Sequence, residues 1–253
     1  MNDARQPFFI GWARIPPGLR GFLAVCAFAL VLVFAAAGYL VAATMDDPGS
    51  GAFRYDWGKQ TLIGRLETRP YPLLHVVQSK RYPAGTTIML SGGGKRGVQA
   101  RAAALDGQIV QASGVMLARG DLAMLQVAGA PSAFVVAKGR QPTAGEVLPL
   151  GRWRLSGEIC DGKCYTGAMR PGSGLAHKAC ANLCLIGGVP PVFVSSSPVD
   201  GDRFLLMADA DGGPVTDSIL DHVATLVDVE GEIERRGSML VFKIAPDTLR
   251  FLR

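Results

Sequence analysis

Residues 21–45, GFLAVCAFALVLVFAAAGYLVAATM, contain no charged side chain. In hydrocarbon the backbone finds no water to bond, so a segment of this kind can cross only as a helix. At about 1.5 Å per residue it reaches roughly 37 Å, enough for a hydrocarbon core of about 30 Å. Arg5, Arg14 and Arg20 precede it against a single acid, Asp3, and Asp46 and Asp47 follow it. The positive-inside rule then places residues 1–20 in the cytoplasm as a short stub and the rest across the membrane. The expectation is a single-pass protein of the bacterial inner membrane with its C-terminal part in the periplasm. A cleaved signal peptide is the alternative: its apolar region is normally only about 7 to 15 residues, but Ala42 and Ala43 leave a cleavage site open. Cys26, inside the run, reads as a small buried hydrophobe.

The formal net charge is +5. Part of it belongs to the N-terminal flank, and the remainder is scattered without a basic run. Dispersed charge of this kind argues against nucleic acid as a partner.

Beyond the short DDPGSG link the chain repeats itself. TLIGRLETRPYP and QIVQASGVMLARGDLAMLQV in one half are echoed by RLSGEICDGKCY and TLVDVEGEIERRGSMLVFKI in the other. Gly114 precedes Arg119-Gly120 as Gly231 precedes Arg236-Gly237. These stretches alternate apolar and polar residues over short runs broken by glycine, the signature of half-buried antiparallel strands. Arg-Gly followed by Asp or Ser suits a hairpin turn. Outside residues 21–45, helical periodicity is confined to 174–186 and 217–225. The reading is a mainly β protein: one transmembrane helix, then two small OB-like barrels at 52–140 and 152–253 with a boundary in GRQPTAGEVLPLGR. A single larger β-domain is the competing arrangement. The second half is longer by about 24 residues between its matching glycines, and an insertion at 160–188 fills most of that excess, as functional elements grafted on scaffolds do.

That insertion, CDGKCYTGAMRPGSGLAHKACANLC, gathers Cys160, Cys164, His177, Cys180 and Cys184. SGLAHKACANLCLIGG reads as a short helix capped by Ser173 and stopped by Gly187 and Gly188. On it His177, Cys180 and Cys184 share one face and can meet Cys164 or Cys160 from the preceding loop. Such a pocket suits zinc, copper or iron, and Met169 as an auxiliary thioether would favour copper. Exported cysteines, however, commonly oxidise, and Cys164–Cys180 with Cys160–Cys184 would be workable disulfides. A third chemistry is thiol–disulfide exchange with Cys180 or Cys184 as nucleophile.

The stretch from Cys164 through Tyr165, Gly167, Met169, Pro171, His177, Cys180, Cys184, Gly187 and Gly188 to Pro190 and Pro191 resembles the signature of a family of uncharacterised membrane-anchored bacterial proteins. FFIGWARIPP and GGGKRG share in that resemblance. It implies Cys164, His177, Cys180 and Cys184 as the core set, with Cys160 less central, and it implies no activity.

Other features carry less. Ser91-Gly-Gly-Gly-Lys-Arg-Gly97 lacks the spacing of a nucleotide phosphate loop and reads as a flexible basic loop that touches lipid headgroups or a partner. His75 and His222 read as structural. Gly187-Gly188 lets backbone pass close by, and Pro190-Pro191 stiffens the exit. The absence of Ser-His-Asp, paired-carboxylate and HExxH patterns leans away from an enzyme. The sequence thus points to an accessory protein that holds a metal or redox cofactor, serving a membrane electron-transfer or assembly complex. The alternatives are a disulfide-stapled interaction module and a thiol oxidoreductase.

Overall fold

The structure, a computed structural model, describes residues 15–44, 49–137, 147–215 and 217–252. Most of the N-terminal stub, the Asp46–Asp47 flank and residues 138–146 of the anticipated boundary lie outside them. The chain divides into two compact units, 1–47 and 48–253.

In the first unit, helix α1 (Pro17–Thr44) starts four residues before the uncharged run. Pro17 opens it, where a missing N–H costs nothing because no partner awaits it. The segment Pro17–Ala43 is long and apolar enough to cross a membrane, a length and composition that a signal sequence also satisfies.

The second unit is mainly β. Its first half holds β1 (Ala52–Phe53), β2 (Gln60–Glu67), β3 (Leu73–Gln78), β4 (Thr87–Ser91), the one-turn helix α2 (Gln99–Ala102), β5 (Ile109–Arg119), β6 (Leu122–Val127) and β7 (Phe134–Val136). The order β5-β2-β3-β4-β6 closes through β5–β6 into a five-stranded barrel, with β4 and β6 parallel and the other neighbours antiparallel. The second half holds β8 (Val147–Asp161), α3 (Lys178–Ile186), β9 (Pro191–Val199), β10 (Asp202–Ala208), β11 (Leu226–Arg236), β12 (Met239–Ile244) and β13 (Arg250–Phe251). Its order β11-β8-β9-β10-β12 closes through β11–β12, again with one parallel pair, β10 with β12. Both are OB-like barrels with the same connectivity, as the internal repeat anticipates.

The paired glycines explain the repeat. Gly114 bonds in register with Gln60 of β2 and Val127 of β6, so it sits where β5 is shared between two neighbours. A Cβ there would run into the Gln126 carbonyl. Gly231 pairs with Trp153 and Ile244 in the same way and meets the Lys243 carbonyl. Strand shared by two neighbours on a tightly curved barrel needs backbone approach that a side chain blocks. The Arg-Gly turns are two-residue hairpins, Gly120 and Gly237 at φ +53° and +59°.

Each barrel has its own apolar core, built around Leu66, Ile88 and Leu125 in one and Phe193, Phe242 and Val227 in the other. A third core lies between them and is common to both. Leu73, Met89, Leu117 and Met124 of the first barrel pack there with Cys164, Cys184, Val192, Leu206 and Val241 of the second.

Three local expectations need correction. Residues 147–152, part of the anticipated boundary, are the start of β8 and pair with β11 from Arg236 inward. The helix over 174–186 is a 3-10 turn, Leu175–His177, followed by α3, and Ser173 makes no cap: Gly174 and His177 occupy the cap positions without side-chain bonds. The 217–225 helix is a 3-10 segment, Asp217–His222, followed by Ala224 at φ +61°, a conformation that ends helical geometry.

Candidate metal centre

The two barrels differ most between their first and second strands. Residues 68–72 join β2 to β3, whereas residues 162–190 join β8 to β9. That loop corresponds to the ligand-contacting first loop of OB folds. Here it is an elaborated segment whose ends stay anchored to β8 and β9.

Strand β8 delivers Cys160 and Asp161 and stops. Asp161 is fully buried; its Oδ1 accepts the Cys164 N–H at 2.8 Å and its Oδ2 bonds His177 Nε2 at 2.9 Å. One carboxylate therefore ties the start of the insertion to the turn that begins α3. Residues Cys164–Ala168 form a wide π-type turn broken by Gly167 at φ +142°, where a Cβ would collide with the Ala52 backbone. The α3 helix then presents Cys180 and Cys184 one turn apart, and stops at Gly188 (φ +85°) with Val189 N–H bonded to the Cys184 carbonyl.

The outcome is three thiols around one point. Cys164 Sγ lies 3.9 Å from Cys180 Sγ and 4.0 Å from Cys184 Sγ. All five cysteines are free, so the disulfide staples are not formed. Sulfurs bound to one ion at about 2.3 Å sit roughly 3.7 to 4.0 Å apart in tetrahedral or trigonal geometry. The donor atoms of Cys164, Cys180 and Cys184 are all within 4.8 Å of one another, and Asp161, Cys164 and His177 form a second such group that shares Cys164. A Cys/His/Asp group that can hold a metal ion is thus present. Cys164 and Cys184 are buried and Cys180 is half-buried, which leaves one vertex nearer solvent.

The remaining sequence candidates stand apart. Cys160 is buried and its thiol donates to Glu158 Oε1 at 3.4 Å. Met169 is 42 % exposed, in the loop before the 3-10 turn. Neither belongs to the two donor groups. His75 bonds Glu67 and Thr87, and His222 stacks on Phe251, both away from the thiols.

What the sequence reading missed comes from the other barrel. The loop 91–97, read as free to touch lipid or a partner, docks on the insertion. Lys95 Nζ donates to Cys180 Sγ at 2.6 Å and reaches Cys184 Sγ at 3.9 Å. Lys163, buried beside Cys164, donates to the Gly92 and Gly94 carbonyls at 2.6 and 2.7 Å and pins that loop. Gly97 N–H bonds the Gly187 carbonyl, and Gln99 bonds that of Gly188. A side chain at Gly97 or Gly187 would strike the opposing carbonyl, so the anticipated close pass of the two glycines is toward this loop. Lysine spaced 69 residues or more from the thiols gives no local signal. The glycine run was the visible trace, because adjacent glycines mark backbone that must approach something.

Electrostatics follow from this packing. The Cys164 hydrogen bond pulls the Cys184 thiol below its ordinary value, aided by the Lys95 charge. The same bond, with burial, pushes Cys164 up. Burial pushes Cys160 well up, which suits an inert thiol. The bond to Cys180 raises Lys95, while burial lowers Lys163.

No protein family, curated protein or solved structure matches this chain. The geometry alone therefore carries the functional reading.

Proposed function

We propose that this is a membrane-anchored accessory protein that holds one soft metal ion, through Cys164, Cys180 and Cys184, on the exported side of the bacterial inner membrane. The observation that carries the proposal is the convergence of three free sulfurs at separations suited to a single ion. His177 sits next to Cys164 with Asp161 on its Nε2, the carboxylate–histidine arrangement that orients rings beside metals. It serves as fourth ligand or as the group that fixes Cys164. Soft thiolates favour copper(I) or zinc, with iron the remaining choice. Cys160 and Met169 are auxiliary at most. A protein of this design would store or pass an ion for a membrane electron-transfer or assembly complex.

A second reading rests on the same distances. Cys164 Sγ lies 3.9 and 4.0 Å from the sulfurs of Cys180 and Cys184, so reversible thiol oxidation is its competitor.

Metal and free-thiol content of the full chain, purified in detergent without chelator, separates the two. The metal reading expects about one ion per chain, its loss in Cys184→Ser and its retention in Cys160→Ser. A metal-free protein that takes up neither zinc nor copper(I) when reduced, and that cycles between dithiol and disulfide, would replace it with the redox reading.

A further inference from the structure

A second surface lies far along the chain from the cysteines. Trp57, in the short 3-10 turn before β2, is bracketed by two guanidinium groups: Arg54 at 4.0 Å and Arg81 at 4.5 Å from its ring centroid. Tyr82 meets it edge-on at 6.5 Å, and Tyr55, 68 % exposed, stacks on Phe53. Beside the indole is a cleft of about 390 Å³ bounded by Trp57, Lys59, Gln60, Thr61, Lys80 and Arg81. Three of those six residues are cations and none is an acid. The 460 Å³ cleft elsewhere in this unit is different, since Glu67, Asp106, Asp211 and Glu234 balance its cations.

The local charges are only partly neutralised from within, since among the described residues Asp56 is the one carboxylate that interacts with both Arg54 and Arg81. Asp56 is occupied by Arg54, bonded through both oxygens at 2.9 and 2.6 Å. Among the described residues Lys59, Lys80 and Arg81 have no carboxylate at salt-bridge distance. Like charges crowded around an aromatic ring repel one another, and an anion in the cleft relieves that. Guanidinium and ammonium groups together recognise phosphate oxygens, while Trp and Tyr favour the boundary between apolar and wet regions. Arg54 follows Thr44, the last residue of α1, by ten positions. A fully extended tether of that length spans at most about 35 Å.

We infer that the Trp57–Lys80–Arg81 cleft binds the phosphate of anionic lipid headgroups, fastening the first barrel to the membrane surface. The inference rests on the membrane-anchored reading of α1. It requires only that the patch lie near a leaflet containing phosphatidylglycerol-type lipid, whose charge draws basic groups and whose effect fades with salt.

The test uses the full chain in lipid nanodiscs, with Trp12→Phe and Trp153→Phe leaving Trp57 as the single emitter. Discs are made of phosphatidylcholine alone or with phosphatidylglycerol brominated near the headgroup. The expected result is strong quenching of Trp57 with the brominated anionic lipid, largely lost in Lys59→Gln/Lys80→Gln/Arg81→Gln and at high salt. Equal emission in all discs overturns the inference. So does a Trp57 response to inorganic phosphate in detergent without a response to lipid, which would make this a site for small phosphate esters. Failure of the anchored reading itself looks different: the chain then elutes apart from the discs. Circular dichroism of the triple variant distinguishes loss of the cleft from loss of the fold.

Discussion

The two barrels are the same machine with different first loops. In the first, residues 68–72 turn directly from β2 into β3; in the second, residues 162–190 leave β8, build the thiol cluster and return to β9. Each loop receives the Arg-Gly hairpin of the other barrel. Arg236 donates to the Arg69 carbonyl at 2.8 Å and pairs with Glu67, while Arg119 reaches the Tyr165 carbonyl at 3.5 Å and lies over the Tyr165 ring at 4.1 Å. Each loop also meets the opposite β4- or β10-exit loop: Arg69 bonds the Gly212 carbonyl, and Lys163 bonds those of Gly92 and Gly94. The docking is reciprocal, so the thiol site has a structural twin, the charged cleft lined by Glu67, Arg69 and Arg236. The repeated scaffold holds two equivalent clefts, and the longer first loop of the second barrel furnishes one of them with sulfur.

The sharpest way to break this comparison is at the corner glycines. Gly114→Ala and Gly231→Ala should each cost about 2–3 kcal/mol, because either Cβ drives into a partner-strand carbonyl. Equal losses in chemical denaturation would show that the corners do the same work; a benign Gly231→Ala would show that the second barrel has relaxed its geometry. Next in size is Lys163→Met, which belongs to the sulfur side alone. It leaves the Gly92 and Gly94 carbonyls without their donor, a penalty of roughly 1–2 kcal/mol. It should also raise amide exchange across 92–97, and unchanged exchange there would mean that the loop is held by Gly97 and Gln99.

The smallest effect falls on the twin. Burial pulls the Glu67 carboxyl up, but the His75 hydrogen bond and the Arg236 charge outweigh it and leave it below its ordinary value. A carboxyl depressed in the folded state stabilises above the unfolded value of about 4.3 and loses that contribution as pH falls through the folded one. Glu67→Gln should therefore lower the melting temperature slightly near neutrality and converge on the parent in acid, which flattens the acid limb of the profile. An acid limb identical to the parent would assign acid sensitivity to other carboxylates.

Most of the scaffold was legible in the sequence for a physical reason. Barrel corners demand glycine and hairpins demand Arg-Gly turns, and both demands are local, so the repeat of Gly114 and Gly231 carried the topology. The insertion was legible as an excess in length. The partners of the thiols were not, because Lys95 comes from the opposite barrel and Asp161 is one acid among many. The Ser173 cap failed for a related reason: once Asp161 fixes His177, the helix start is set by a tertiary bond and needs no local one. The glycine loop was read as free because nothing within it reveals that Lys163, 66 residues beyond Gly97, closes on its carbonyls.

The core shared by the barrels has a thermodynamic consequence. Leu73, Met89 and Met124 lose their apolar neighbours if the second barrel opens, as Cys184, Val192 and Leu206 do if the first one does. The shared core predicts that neither barrel has a private melting point and that the unit unfolds as one cooperative body. Because the sulfurs are embedded in that shared core, any ion they hold adds its binding free energy to the whole body at once. Occupancy at one small cluster would thus be readable anywhere in the molecule, as a shift of its single transition.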